Sequence, residues 1–179
     1  MENQDEILDS EDVGANNDIE EQNIISLNKF IFLSIISFGL YPIWWIYKAW
    51  RFYQQKDKID IMPVARAIFS IFFLPSLFNK TLAFAKGKGY NENYSSVALF
   101  IGWIIGNLLS RLPDPFWLIS ILGFIFLIPP FNALNFAKQN STNFIVKEQT
   151  SYSGRQIVLI VIGVVFWCLV LFGMTIEEV

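Results

Sequence analysis

The chain has 179 residues, 54% of them apolar and only 16% charged, with a formal net charge of −3. Soluble domains run at roughly 45–50% apolar and about 25% charged, so this balance argues against a water-soluble globule. Histidine is absent and Cys168 is the single cysteine. That excludes a His-paired nucleophile, a His metal site, a disulfide within the chain and a cysteine metal cluster, and the sequence calls for no cofactor.

Residues 1–23 carry nine acids and no base. They cannot bury enough apolar surface to order themselves and read as a disordered acidic tail. Asp9, Glu11 and Asp12 lack the glycine turn and closing glutamate of a calcium loop. An acidic N-terminus does not fit a secretory leader, so the first apolar run is expected to stay in the membrane.

Beyond the tail lies a single expected helical domain, residues 24–179. Its uncharged runs are 30–47 (18 residues), 67–79 (13), 93–110 (18), 115–137 (23) and 156–176 (21). Four of the five reach the 18 or so residues that cross a bilayer. The predicted elements are a long helix from Ile24 to about Gln54, capped near Ser26, and a shorter one that starts at Pro63 and is broken at Pro75. Helices over Tyr94 to Ser110, Pro115 to Lys138 and Gln156 to Met174 follow, with a polar loop between the last two. Residues 61–110 and 115–175 echo one another: Phe72 to Lys86 resembles Phe126 to Lys138, each followed by Tyr-Ser and then Ile-Gly. Such an echo suggests a hairpin repeat.

Charge bears on topology. With five crossings the 13 Lys and Arg divide seven to six. With four, and the 13-residue run only dipping into the surface, they divide eleven to two, leaving Lys29 and Arg111 opposite the rest. Cytoplasmic faces collect Lys and Arg, so the expected fold is an all-α polytopic bundle of four spanning helices plus one short Pro-broken membrane-embedded helix. Five spanning helices are the alternative.

Tyr41, Trp44, Trp45, Tyr47 and Trp50, interleaved with Lys48 and Arg51, read as anchors at the headgroup level, with a bend at Pro42. Pro75 and Pro129 are the other expected bends. Arg66 with Asn79, Asn107 and Asn132 form a candidate polar site, by default snorkelling and interhelical hydrogen bonding. Gly102, Gly106 and Ser110 form a small-xxx-small packing face, within the chain or between copies. A nucleic-acid platform is disfavoured by the net charge and by continuity with a lipid-length run.

The segment Phe38-Gly39-Leu40-Tyr41-Pro42-Ile43-Trp44-Trp45, with Tyr47-Lys48, resembles the signature of small multi-pass bacterial membrane proteins of a domain-of-unknown-function family, over about residues 30–55. The resemblance implies a helical protein of the bacterial cytoplasmic (inner) membrane and carries no functional residue with it. The expected role is a non-enzymatic scaffold, regulator or partner subunit touching anionic headgroups, alone or as a homo-oligomer or with a membrane-protein partner. A small transporter or channel subunit built on the hairpin repeat is the alternative, and a lipid-modifying enzyme a remote one.

Overall fold

The structure, a computed structural model, describes residues 21–142 and 144–176. It is mostly helical. The element order is β1 (Gln22–Ile24), α1 (Leu27–Ile36), α2 (Leu40–Asp57), α3 (Pro63–Ile68), α4 (Ser70–Lys86) and α5 (Ser96–Leu108). A 3-10 turn (Leu109–Arg111), a 3-10 helix (Phe116–Leu127), α6 (Ile128–Gln139), β2 (Val146–Glu148) and α7 (Gly154–Ile176) complete it. Most of the acidic tail lies outside the described residues, but its last two residues, Gln22 and Asn23, enter β1. That strand pairs in parallel with β2, Gln22 opposite Val146 and Ile24 opposite Glu148.

The first apolar run is not one helix. Ser26 caps α1, its side chain accepting from the Lys29 N–H, and α1 ends after ten residues. The Gly39 N–H donates to the Ser34 carbonyl and the Phe38 N–H to the Ile35 carbonyl, the paired bonds of a Schellman motif. Phe38 (φ 51°) and Gly39 (φ 84°) are both left-handed, and two such residues in succession reverse the chain. The Tyr41 N–H then donates to Ser37 Oγ at 2.9 Å and starts α2. Phe30, in the first turn of α1, consequently meets Tyr41 and Trp45 of α2 at ring distances of 6.1 and 6.0 Å. The pair is a helical hairpin that enters and returns.

This reversal corrects the predicted long helix and its bend. Pro42 sits in the first turn of α2, where its missing N–H costs no intrahelical bond. Pro75 does not break α4: it lies near the helix start, so only a first-turn carbonyl loses its donor. The interruption falls earlier, at Phe69 between α3 and α4. Pro129 occupies the first turn of α6, where the 3-10 helix becomes α-helix.

Among the described residues two helices are long and apolar enough to cross a membrane by length and composition, Phe116–Gln139 and Gly154–Thr175. The four-span bundle expected from run lengths is not supported, nor is the five-span alternative. The first run reverses on itself, and Ser96–Arg111 is a shorter apolar helix. α5 and the 3-10 helix form a second hairpin, closed by the turn after Arg111, with Gly106 against the Gly123 backbone. Both hairpins point the same way. Phe38, at the tip of the first, stacks on Trp167 of α7 at 4.7 Å and lies 6.4 Å from Trp117 at the start of the 3-10 helix.

The core lies where these hairpins meet α4 and α6. Phe30 is fully buried, stacks on Phe131 at 4.4 Å and meets Phe124 edge-on at 6.4 Å. Truncating such a ring costs about 3–5 kcal/mol. α7 is different: beyond its contact with α1, Val161, Val165, Leu169 and Phe172 are all more than half exposed.

Candidate functional site

The exposed apolar residues of α5 and of α7 beyond its first turn lie apart from most of the basic residues. Twelve of the 13 Lys and Arg belong to the end where α2 finishes, α4 and α6 end and α7 begins, and Arg111 alone lies at the far turn. Lys29 joins the other eleven because its Nζ donates to the carbonyls of Gln149 and Thr150, both at 2.5 Å, just ahead of α7.

A cavity of about 690 Å³ opens at this end between β1, α2, α6 and the start of α7. The start of α7 is fixed by a capping box: the Gln156 N–H donates to Ser153 Oγ at 3.4 Å, and Gln156 Oε1 accepts from the Ser153 N–H at 2.9 Å. Gln156 Nε2 also donates to the Tyr41 hydroxyl at 3.1 Å, which ties α7 to α2. Lys48, Arg51, Lys138 and Arg155 line the cavity, with Glu21 as its one carboxylate among the described residues. Glu21 is paired with Lys147 at 2.5 Å.

Lys138 is 7% exposed. Its Nζ donates to Gln22 Oε1 at 3.0 Å and lies 4.4 Å from the Phe52 ring centre. Among the described residues no carboxylate pairs with it. The arrangement places an amine at the wall of a cavity without an anion of its own among the described residues, a costly position for its charged form. Arg155 lies 6.0 Å from the Trp44 ring.

The predicted anchors divide. Tyr41, Trp45 and Trp50 turn inward, at 6%, 7% and 1% exposure, while Trp44 is 40% exposed and tilts against Tyr47 at 5.1 Å. Lys48 is exposed and Arg51 half-buried. Three of the five aromatics therefore serve the core, because α2 buries one side against α6 and α3. Arg66 neither reaches out nor meets an asparagine: its guanidinium covers the rings of Trp50 at 4.4 Å and Phe73 at 5.1 Å.

The four residues of the candidate polar site are not brought together. Asn79 is exposed, and Asn107 donates to the Trp103 carbonyl in its own helix at 2.8 Å. Asn132 lines a separate cavity of about 320 Å³ with Glu92 and Glu148. At that cavity burial, and then Glu92, push the Tyr90 hydroxyl up to about 12. Gly102 and Gly106 face the 3-10 helix, and a Cβ at 102 would meet the Phe126 ring at 2.3 Å. Ser110 donates to the Asn107 carbonyl. The two glycines pack within the chain, while Ser110 is exposed.

Sequence reading named Lys48 and Arg51 but missed Lys138, Arg155 and Gln156. The pattern Ser153-Gly-Arg-Gln156 is a legible capping box, and Lys138 continues the face of Phe131 and Leu134 at helical spacing. No family model, curated protein or solved structure matches the chain.

Proposed function

We propose that the protein is a non-enzymatic integral membrane protein, a scaffold or partner subunit whose basic face lies on the cytoplasmic side of a bacterial inner membrane against anionic headgroups. The observation that carries this reading is the twelve-to-one division of basic residues about an apolar, largely exposed α7 and the α5 hairpin. Clustered Lys and Arg mark the cytoplasmic side, and each contributes about 1 kcal/mol of attraction near an anionic surface.

In this orientation the α1–α2 hairpin re-enters from the cytoplasm, and α3 with the start of α4 lies in the interface. Met62, Ile68, Phe69 and Phe72 there are all more than half exposed. The α5 hairpin reaches toward the far face and α7 crosses. The chain is then kin to the small multi-pass proteins that its Phe38 to Lys48 segment resembles, with three crossings in place of four.

The hairpin repeat supports a transporter-subunit reading second. Both halves place a serine cap ahead of their apolar helix, Ser95 for α5 and Ser153 for α7. Each then sets its Ile-Gly glycine, Gly102 or Gly163, against a neighbouring element.

Reporter fusions test the orientation. Alkaline phosphatase is expected to be inactive, and a fluorescent protein bright, after Lys58, Lys88 and Ser141, with the reverse in the turn after Leu112. An active phosphatase at Lys58 would overturn the re-entrant hairpin.

A further inference from the structure

The basic cavity has the chemistry of a site for one phosphate-bearing amphiphile, and three observations converge on that class of ligand. The first is charge. Lys48, Lys138 and Arg155 line one cavity, the only carboxylate there among the described residues is already held by Lys147, and Lys48 makes no hydrogen bond or ion pair with a described residue. The second is burial. Lys138 is more than nine-tenths buried, and its partners are an amide oxygen and an aromatic face. A cation so placed is strongly stabilised by an anion entering the cavity. The third is the wall. The same cavity is bounded by Leu40, Trp44 and Leu159, of which Leu40 is 59% and Trp44 40% exposed. These continue onto the exposed apolar surface of α7 at Val158 and Ile162.

A free phosphate would use the charges and ignore the wall; a lipid uses both. We propose that this cavity binds the phosphate of a single anionic phospholipid, held by Lys48, Lys138 and Arg155, with its acyl chains leaving past Leu40 and Trp44 along α7. The start of α7 adds the partial positive charge of a helix N-terminus to the same cavity. The proposal deepens the headgroup contact proposed above by assigning it one site, and it rests on that membrane reading. A diffuse basic face would hold many headgroups loosely. This cavity would retain one through detergent.

The test is native mass spectrometry of the full chain in detergent with phosphatidylglycerol or phosphatidylcholine added. One phosphatidylglycerol is expected to stay bound, with little phosphatidylcholine. Lys138→Met addresses the buried cation most directly. Should it fold poorly, the exposed pair Lys48→Gln/Arg155→Gln decides instead, with an expected loss of roughly 25-fold for two surface charges. Lys86→Gln/Lys88→Gln removes the same charge elsewhere on the basic face and is expected to change retention less than about two-fold.

Equal loss in both double variants would overturn the site in favour of diffuse charge, and displacement of the lipid by millimolar inorganic phosphate would make it a free-phosphate site. Recovery of the chain from cells in the soluble fraction would remove the membrane reading itself. Failure of lipid selectivity in a chain that still fractionates with membranes removes only this inference.

Discussion

A methyl group at Gly163 tests the docking of α7 on the first hairpin. Glycine inside a helix usually costs stability, and replacing it with alanine gains up to about 1 kcal/mol. At Gly163 a Cβ would stand 2.1 Å from the Ile36 carbonyl oxygen and 2.9 Å from its carbon. These are backbone atoms at the last residue of α1, held by the reversal that follows, so no rotamer change relieves the overlap. α7 must move away by about 1 Å to restore ordinary contact. That movement loosens the bond from Trp167 Nε1 to the Ile35 carbonyl, 3.3 Å, and the stack of Phe38 on Trp167. Overpacking costs about 1–3 kcal/mol and an aromatic pair is worth about 0.5–1.5 kcal/mol, so the propensity gain is outweighed and Gly163→Ala is expected to lose about 1–3 kcal/mol net. Gly173, in the same helix, has nothing within 4 Å of its would-be Cβ. Gly173→Ala is therefore expected to be neutral or slightly stabilising. Denaturant titration in mixed micelles, followed by tryptophan fluorescence, measures both. A Gly163→Ala chain as stable as Gly173→Ala would refute the close approach of α7 to α1.

Gly39 takes a left-handed conformation with open space around its would-be Cβ, so Gly39→Ala introduces backbone strain and no clash. The expected loss is about 1–2 kcal/mol in the same titration, and no change would place the reversal elsewhere. Asp57 receives hydrogen bonds from Lys56 at 2.7 Å and Lys80 at 2.6 Å. Burial alone would raise its carboxyl, but those two lysines hold it below the ordinary carboxylate range. A folded-state pKa that is depressed gives a contribution fully present above the unfolded value and lost as pH falls through the folded one. Unfolding midpoints measured from neutral to about pH 3 should therefore fall less steeply for Asp57→Asn than for the parent.

Much of the helical content was legible because lipid-length apolar runs have few alternatives. The Ser26 cap, the start at Pro63 and the end of α4 follow from local chemistry that tertiary contacts do not override. The hairpin at Phe38-Gly39 was hidden because a reversal within an uncharged run leaves no polar punctuation. Glycine next to a Pro42 three residues on reads as readily as a kink as it does as a turn. Pro75, the sixth residue of α4, leaves the helix unbroken although the Ile71 carbonyl loses its donor, and at Pro129 a 3-10 helix becomes α-helix. Pro129 and Pro130 also leave the carbonyls of Ile125 and Phe126 without α-helical donors, which favours the tighter 3-10 pairing before them. The β1–β2 pair was invisible, since two three-residue segments joined across more than a hundred, each with a single apolar residue, carry no periodicity. The cavity had the same problem. Lys48 and Arg155 meet only because α2 turns back toward the start of α7.

The hairpin of α1 and α2 also sets an order of events during synthesis. Its ten-residue entering helix is too short to hold a bilayer by itself, and the helix it docks on is made more than a hundred residues later. In the proposed orientation the ribosome releases an N-terminal segment that cannot yet settle. In that same orientation the acidic tail before it would not have to cross the membrane. The α5 hairpin enters before α7 is made, and a chain stopped before Gly154 would keep Phe30 packed on Phe124 and Phe131 while its Phe38 tip lost Trp167.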